Sequence, residues 1–165
     1  DRLTAAGLRV KMDDSDNSPG WKFAEYEMKG VPLRLEIGPK DMEKEQCVIA
    51  RRDTGEKVFV PLESLEETVK KLLDAVHDNM YAQALKNLQD NSFDISSPEE
   101  AKAIAEGKGG FLRSKWCGSL DCELAMKEQA GVTSRCMPLA QSGTEGVCPV
   151  CGKKCATDIY WGVAY

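Results

Sequence analysis

The feature that most constrains the fold of this chain is a set of two cysteine pairs in its last third. The pairs are Cys117/Cys122 and Cys148/Cys151, and a predicted helix and a loop separate them. The second pair stands in the sequence Cys-Pro-Val-Cys-Gly-Lys, a turn that directs two sulfurs toward one point. Four thiolates arranged in this way complete the closed tetrahedron that Zn²⁺ adopts in structural sites. The spacing therefore predicts a structural zinc site that stabilises a segment with few apolar residues.

The distribution of cysteines favours a metal over disulfides. The chain has seven cysteines, and six of them follow residue 116. An odd number does not suit a secreted scaffold, in which the cysteines usually all pair. Cys47, Cys136 and Cys155 are predicted to be small core residues, with Cys155 as a possible replacement ligand. Three alternatives remain open for the quartet: independent buried thiols, an iron–sulfur cluster, or a redox disulfide between Cys148 and Cys151.

The charge of the chain limits its partners. Its net charge is −5, which argues against binding nucleic acid through bulk positive charge. Any nucleic-acid contact is therefore expected to be local and directed at bases. The sequence has no apolar run near the roughly 20 residues that span a bilayer and no basic-then-apolar leader. We expect a soluble, cytoplasmic protein without membrane or DNA partners, and a fragment, because the first residue is Asp1 and not Met.

Hydrophobic periodicity and turn residues predict the elements. Helices are predicted over residues 1–6, 21–29, 39–46, 64–88, 97–106 and 122–129, and strands over 8–12, 32–38, 47–52, 57–61, 111–116, 135–139 and 157–164. Capping-box sequences begin at Ser64 and Ser97. The helix that starts at Ser64 is long enough to connect two units, so the boundary is predicted within it, between residues 72 and 73.

Charged residues between positions 27 and 57 form a second candidate site. Alternation in the predicted strand 32–38 puts Arg34 and Glu36 on the face opposite its leucines. Charge pattern alone is typical of an ordinary solvated surface. The alternative is direct reading of exposed bases, because carboxylates accept from the guanine Watson–Crick edge, Arg and Lys donate to guanine O6 and N7, and Trp21 or Phe23 can stack. The residues concerned are Glu27, Arg34, Glu36, Asp41, Arg51, Arg52 and Lys57.

Two other features do not support a site. Residues 13–24 resemble a calcium loop only superficially, because Ser18 stands where the required Gly belongs and Ala24 where the bidentate Glu belongs. His77 is the only histidine, and no second base or nucleophile is placed near it by sequence. The residues themselves therefore indicate no catalytic machinery.

Three segments resemble the anticodon-binding domain that the class II synthetases for proline, threonine, glycine and histidine share. They are Gly-Trp-Lys-Phe at 20–23, Gly-Val-Pro-Leu-Arg-Leu-Glu-Ile-Gly-Pro-Lys-Asp at 30–41, and the Arg51-Arg52 hairpin. The cysteine quartet that follows and the ending Tyr-Trp-Gly-Val-Ala-Tyr at 160–165 are similar to the prolyl-tRNA synthetases of the archaeal and eukaryote-like type. This resemblance covers essentially the whole chain.

The resemblance implies a fold and a function. Residues 1–72 would form an α/β anticodon-binding domain, a mixed sheet flanked by helices whose N-terminal part is missing. Residues 73–165 would form an α+β zinc-binding C-terminal domain. The function implied is anticodon recognition within an enzyme that ligates proline to tRNA(Pro) with ATP. An alternative is a free-standing zinc-stabilised adaptor for a protein partner, and a third hypothesis is a thiol redox module.

The resemblance also implies roles for single residues. Glu27, Arg34, Asp41 and Lys57 occupy positions that read the two guanines of a proline anticodon. Cys117, Cys122, Cys148 and Cys151 would hold the structural zinc, and the carboxylate of Tyr165 would reach toward the active site. The catalytic core, with its ATP, Mg²⁺ and proline sites, would lie upstream of Asp1, so no catalytic residue is expected here. The full-length enzyme is expected to be a homodimer.

Overall fold

The structure, a computed structural model, describes residues 1–164. These residues divide into two compact units, Asp1–Ala84 and a second from Leu85 onward. Helices flank a sheet in each unit, so the predicted fold class is confirmed. The division falls within the long helix that was predicted to contain it, but beyond residue 73, and the boundary after residue 72 stays a prediction.

A three-stranded antiparallel sheet forms the centre of the first unit. Its strands are β1 (Leu33–Glu36), β2 (Gln46–Arg51) and β3 (Lys57–Pro61), with β2 in the middle. Gly55 closes the β2–β3 hairpin in the left-handed region, at φ +72°, which suits a residue without a Cβ. The three predicted strands and the hairpin are confirmed.

Four helices accompany this sheet: α1 (Arg2–Ala5), α2 (Pro19–Met28), α3 (Pro39–Glu43) and α4 (Leu65–Asp90). Helix α2 begins two residues before its predicted start, because Ser18 accepts a hydrogen bond from the Trp21 amide and Pro19 suits the first helical position. The capping box predicted at Ser64 is wrong. A 3₁₀ turn precedes α4, and the Ser64 hydroxyl donates to the Pro61 carbonyl instead.

The strand predicted over residues 8–12 is also wrong. Leu8 is partly buried against the first unit's core, but Val10 and Met12 are 52% and 85% exposed. A strand requires a neighbour to satisfy its backbone N–H and C=O groups, and no strand among residues 1–164 pairs with this segment. Alternation of side chains was therefore not sufficient to form a strand here.

The core of the first unit lies between one face of the sheet and α4. Cys47, Ile49 and Val60 point from β2 and β3 toward Leu65 and Val69 of the helix. Cys47 is completely buried, which confirms its predicted role as a small core residue. Since side chains alternate along a strand, Arg34, Glu36 and Lys57 point to the opposite face.

The second unit contains a four-stranded mixed sheet in the order β4-β5-β9-β6, with β4 parallel to β5 and the other pairs antiparallel. Its helices are α5 (Pro98–Glu106) and α6 (Leu120–Ala130), and β7 and β8 pair as a separate two-stranded ribbon. The strands are β4 (Ser92–Asp94), β5 (Phe111–Trp116), β6 (Val132–Cys136), β7 (Gly146–Val147), β8 (Lys154–Cys155) and β9 (Thr157–Val163).

Trp161 is the largest fully buried side chain of the second unit's core. It packs with Leu112, Met126 and Val132, and its indole N–H donates to Ser114 Oγ at 2.8 Å, which satisfies the one polar group that it buries. The strand predicted over 135–139 lies earlier, at Val132–Cys136, because Val132 enters the core directly after α6 ends. The three-residue β4 was not predicted.

Within residues 1–164, none of the helices combines the length and apolar character needed to cross a membrane.

Candidate metal centre and nucleic-acid interface

The four predicted cysteine ligands come together at one end of the second unit's sheet. Cys117 follows β5, Cys122 lies in the first turn of α6, and Cys148 and Cys151 lie in the turn between β7 and β8. Their sulfurs all lie within 4.8 Å of one another. The Sγ of Cys117 is 3.6 Å from that of Cys122 and 3.7 Å from that of Cys151. A tetrahedral ion with metal–sulfur bonds of about 2.3 Å would separate its sulfurs by about 3.8 Å, so the four sulfurs fit a single metal ion.

Local backbone geometry holds the second cysteine pair. The Cys148 amide donates to the Lys153 carbonyl at 2.9 Å, and the Gly152 amide donates to the Cys148 carbonyl at 2.9 Å. Gly152 adopts φ +68°, which an L side chain rarely tolerates. The strands β7 and β8 pair on either side of this turn. The turn is therefore closed by its own backbone.

The two most buried sulfurs differ in their affinity for protons. Burial raises the pKa of the Cys148 thiol, but the backbone N–H groups of Cys151, Val150 and Cys117 donate to its sulfur and bring the pKa down to about 7. Burial and the neighbouring thiols raise the pKa of Cys122 to about 12. A cation among the four sulfurs would supply the positive charge that favours thiolates at both positions.

The remaining cysteines of this unit are separate from the quartet. Burial and the charges of Cys148, Cys117 and Cys151 raise the pKa of Cys155, which places it beside the cluster without including it. Cys136 is exposed at the end of β6, so the prediction of a buried core cysteine is wrong there. The core face of β6 ends before Cys136, because an irregularity in the pairing with β9 separates it from Ser134.

Charged side chains from three elements meet on the face of the first unit's sheet that α4 does not cover. We call Glu27, Arg34, Glu36 and Lys57 the charged cluster. Arg34 Nη1 donates to Glu27 Oε1 at 2.7 Å, and Arg34 Nε donates to Glu36 Oε1 at 2.9 Å. Lys57 Nζ lies 3.3 Å from Glu36 Oε1. The structure thus brings together three of the four predicted anticodon-reading residues and shows that Glu36 connects two of them.

An aromatic ring lies beneath this cluster. The Arg34 guanidinium carbon is 3.8 Å from the centroid of the Phe23 ring, and Lys57 Nζ is 5.9 Å from it. A cation over an aromatic face is attracted by the quadrupole of the ring. Phe23, one of the two aromatics that could stack on a base, contacts Arg34, and Trp21 is half exposed.

Asp41, the fourth predicted reader, is hydrogen-bonded to residues outside the charged cluster. Its carboxylate accepts from the Gly38 amide at 3.0 Å and from Gln46 Nε2 at 3.2 Å. The Gln46 amide group and the Gly38 N–H lower the pKa of Asp41, since both donate to its charged form. Asp41 therefore caps the start of α3, and it makes no ion pair with the cluster within residues 1–164.

The two neighbouring arginines have different environments. Arg51 forms a bidentate pair with Asp53, at 2.6 and 3.0 Å, and Asp53 also accepts from Asn79 Nδ2 of α4 at 2.7 Å. Asp53 thus connects the hairpin to the helix. Arg52 Nε donates to the Glu27 carbonyl at 2.9 Å.

A small pocket of ≈ 70 Å³ is bordered by residues that include Glu27, Arg34, Ala50, Arg52 and Lys57.

Two sequence features outside these sites have plain structural explanations. His77 is largely exposed, lies 3.4 Å from Asp78 and stacks on Tyr81 at a centroid distance of 6.5 Å. In the polar loop before α2, Lys22 Nζ lies 2.6 Å from the Ser15 carbonyl and 3.1 Å from the Asp13 carbonyl. The loop oxygens that superficially resemble calcium ligands therefore bind an ammonium group of the same chain.

Comparison with known proteins assigns a domain family to each part of the chain. Residues 1–72 match the family model described as "Anticodon binding domain", and residues 98–165 match "Prolyl-tRNA synthetase, C-terminal". The chain is 48% identical over 157 residues to "Proline--tRNA ligase 2" of Bacillus thuringiensis (strain Al Hakam), covering 95% of this chain and 33% of the relative. It is 49% identical over 158 residues to "Proline--tRNA ligase" of Clostridium botulinum (strain Loch Maree / Type A3), covering 96% and 33%. The chain thus spans about a third of the length of the curated relatives it matches.

Proposed function

We propose that this chain recognises the anticodon of tRNA(Pro) within an enzyme that ligates proline to that tRNA. The matches of residues 1–72 to the anticodon-binding domain model and of residues 98–165 to the model of prolyl-tRNA synthetase C-terminal domains support this proposal. In this proposal the ligation, with its ATP and Mg²⁺, takes place in a part of a longer protein outside residues 1–165. A homodimer and a cytoplasmic location belong to the same proposal, as does the archaeal and eukaryote-like type. Tyr165 lies outside the described residues, and its position near an active site stays a prediction.

The charged cluster in the anticodon-binding unit is the observation that carries this proposal. Its two carboxylates and two cations have no net charge, so they do not attract a phosphate backbone in general. They match the edges of guanine instead, because a carboxylate accepts from N1–H and the N2 amino group while Arg and Lys donate to O6 and N7. We assign the reading of the two guanines to Glu27, Arg34 and Lys57, with Asp41 as a further reader at the start of α3.

The test is binding of the complete protein to tRNA(Pro) transcripts in which each anticodon guanine is replaced by adenine. We expect each replacement to weaken binding by about 5- to 150-fold, the range of one well-placed bidentate contact. Glu27→Gln should reduce this discrimination more than it reduces affinity for the substituted tRNAs. Equal affinity of the wild-type protein for all the transcripts would contradict the proposal.

We further propose that Cys117, Cys122, Cys148 and Cys151 hold a structural Zn²⁺. Four sulfurs within 4.8 Å of one another support this assignment, as does a donor set that leaves no open coordination position for a substrate. The ion would supply folding free energy to the second unit. Elemental analysis of the purified protein should find one equivalent of zinc and thiols protected from alkylation, whereas a metal-free, reactive Cys148/Cys151 dithiol would favour the redox hypothesis.

A further inference from the structure

Glu36 lies at the centre of the charged cluster, although the family resemblance gives it no reading role. Its Oε1 accepts from Arg34 Nε at 2.9 Å. The Lys57 ammonium lies 3.3 Å from the same oxygen and 3.4 Å from Oε2. One carboxylate therefore holds two cations that come from different strands.

Strand register explains why a single carboxylate reaches both cations. Arg34 of β1 and Lys57 of β3 are both paired with Ala50 of the central strand β2. The short Ala50 side chain leaves the space between the two cations open, and the pocket described above lies there. Glu36 is two residues after Arg34 on the same face of β1, and its carboxylate reaches both cations without bordering the pocket.

The Arg34 guanidinium is held on three sides. Phe23 covers one face at 3.8 Å, Glu27 binds Nη1 at 2.7 Å, and Glu36 binds Nε. In the described part of the chain, the Nη2 amino group donates no hydrogen bond. Because the guanidinium fork is planar and rigid, fixing two of its nitrogens also fixes the direction of the third.

Lys57 is held much less firmly. Its side chain is 51% exposed, against 20% for Arg34, and Glu36 is its one ion-pair partner within residues 1–164. A lysine ammonium on a flexible four-carbon stem has no fixed direction of its own. Glu36 is therefore the main restraint on the position of this donor.

We propose that Glu36 is a positioning residue that fixes the donor groups of Arg34 and Lys57, so that both donors are already in place when the two anticodon guanines bind. This inference rests on the proposed function. Glu36 need not contact the tRNA itself. Its effect is to hold two donors at one separation before binding, which lowers the ordering cost when the bases arrive.

Glu36→Gln in the complete protein separates positioning from simple electrostatics. The substitution removes a negative charge near bound tRNA, which by charge alone would strengthen binding of every transcript. Positioning predicts the opposite for the guanine-containing anticodon: binding about 10-fold weaker, with the affinity for adenine-substituted transcripts unchanged or increased. Glu56→Gln is the matched control, because Glu56 lies next to Lys57 but forms no ion pair among the described residues.

Glu36→Asp provides a second variant that keeps the charge but shortens the side chain. It should retain the closer contact to Arg34 and lose the longer contact to Lys57, so discrimination should fall at one guanine and persist at the other. The inference is overturned if Glu36→Gln binds like Glu56→Gln, or, should Glu36→Gln not fold, if Glu36→Asp discriminates at both guanines as the wild type does. Failure of the proposed function is a different result, in which the wild-type protein itself shows no preference for guanine.

Discussion

The cysteine cluster and the charged cluster are both sets of four polar side chains from separate elements. They differ in what these side chains interact with. The four sulfurs converge on a common centre, and two of them, Cys122 and Cys148, are buried. The four charged groups already satisfy one another as ion pairs, and they lie at the surface. The first arrangement is compatible with a central cation, whereas the second leaves only its remaining donors and acceptors for another molecule.

Under the functions proposed above, this difference separates a site that would stabilise the fold from a site that would read bases. A ligand set that is assembled only in the folded state converts metal binding into folding free energy. Partly exposed ion pairs contribute little to stability, usually under about 1 kcal/mol, but they orient donors and acceptors. We therefore expect substitutions in the cysteine cluster to change folding, and substitutions in the charged cluster to change binding.

The largest expected effect is that of Cys148→Ser. With a metal in the site, losing one of four ligands should destabilise the second unit by several kcal/mol, which is comparable to the whole stability of a small domain. Hydrogen exchange should rise across residues 85–164 and change little in residues 1–84. Cys136→Ser is the control, because Cys136 is exposed and outside the quartet. Equal protection in the two variants would remove the distinction between the clusters.

The next largest effect is expected for Arg34→Lys, and it concerns binding rather than folding. Lysine keeps the charge but loses the planar fork that contacts Glu27, Glu36 and Phe23 together. Guanine discrimination should fall by about 10-fold or more, while the Tm stays close to that of the wild type. A large fall in Tm with discrimination retained would mean that Arg34 stabilises the fold rather than reads bases.

A smaller effect is expected for acid stability of the first unit. The Arg51 guanidinium, with a contribution from Asn79, lowers the pKa of Asp53 to about 2. Because the folded-state pKa lies below the usual value of about 3.9, the stabilisation is present above pH 4 and is lost as the pH falls toward 2. Asp53→Asn should flatten this part of the stability profile, measured by chemical denaturation at several pH values. Asp14→Asn, at an exposed loop position, should leave the profile as in the wild type.

The smallest effect is expected for His77→Ala. His77 is exposed and contacts only its helix neighbours Asp78 and Tyr81 within the described residues. Neither the Tm nor the tRNA affinity of this variant should differ from that of the wild-type protein. A loss of binding in this variant would indicate a third site that the comparison of the two clusters omits.

The sequence predicted a site where its residues lie close together along the chain, and it did not where the residues come from distant elements. The cysteine quartet was identified from its spacing, since each pair is closed by a short local segment. Nothing in the sequence indicated the connection between Arg51, Asp53 and Asn79, because Asn79 lies 26 residues from Asp53 and on another element. Glu36 was recognised as part of a charged surface, but pattern alone did not identify it as the residue between Arg34 and Lys57. The segment 8–12 shows the same limit for the fold, since alternation cannot indicate whether a strand has a neighbour.

The sequence by itself determined the features that depend on local spacing: the cysteine pairs, the periodic helices, the hairpin at Gly55 and the face shared by Arg34 and Glu36. Only the tertiary structure decided which charges meet. Glu27, Arg34 and Lys57 are brought together because Phe23 and Glu27 of α2 contact Arg34 on the sheet face that α4 leaves free, while Asp41 caps its own helix. Spacing encodes contacts within a few residues through fixed backbone geometry. Contacts between elements depend on how the elements pack against one another, and a local sequence pattern does not contain that information.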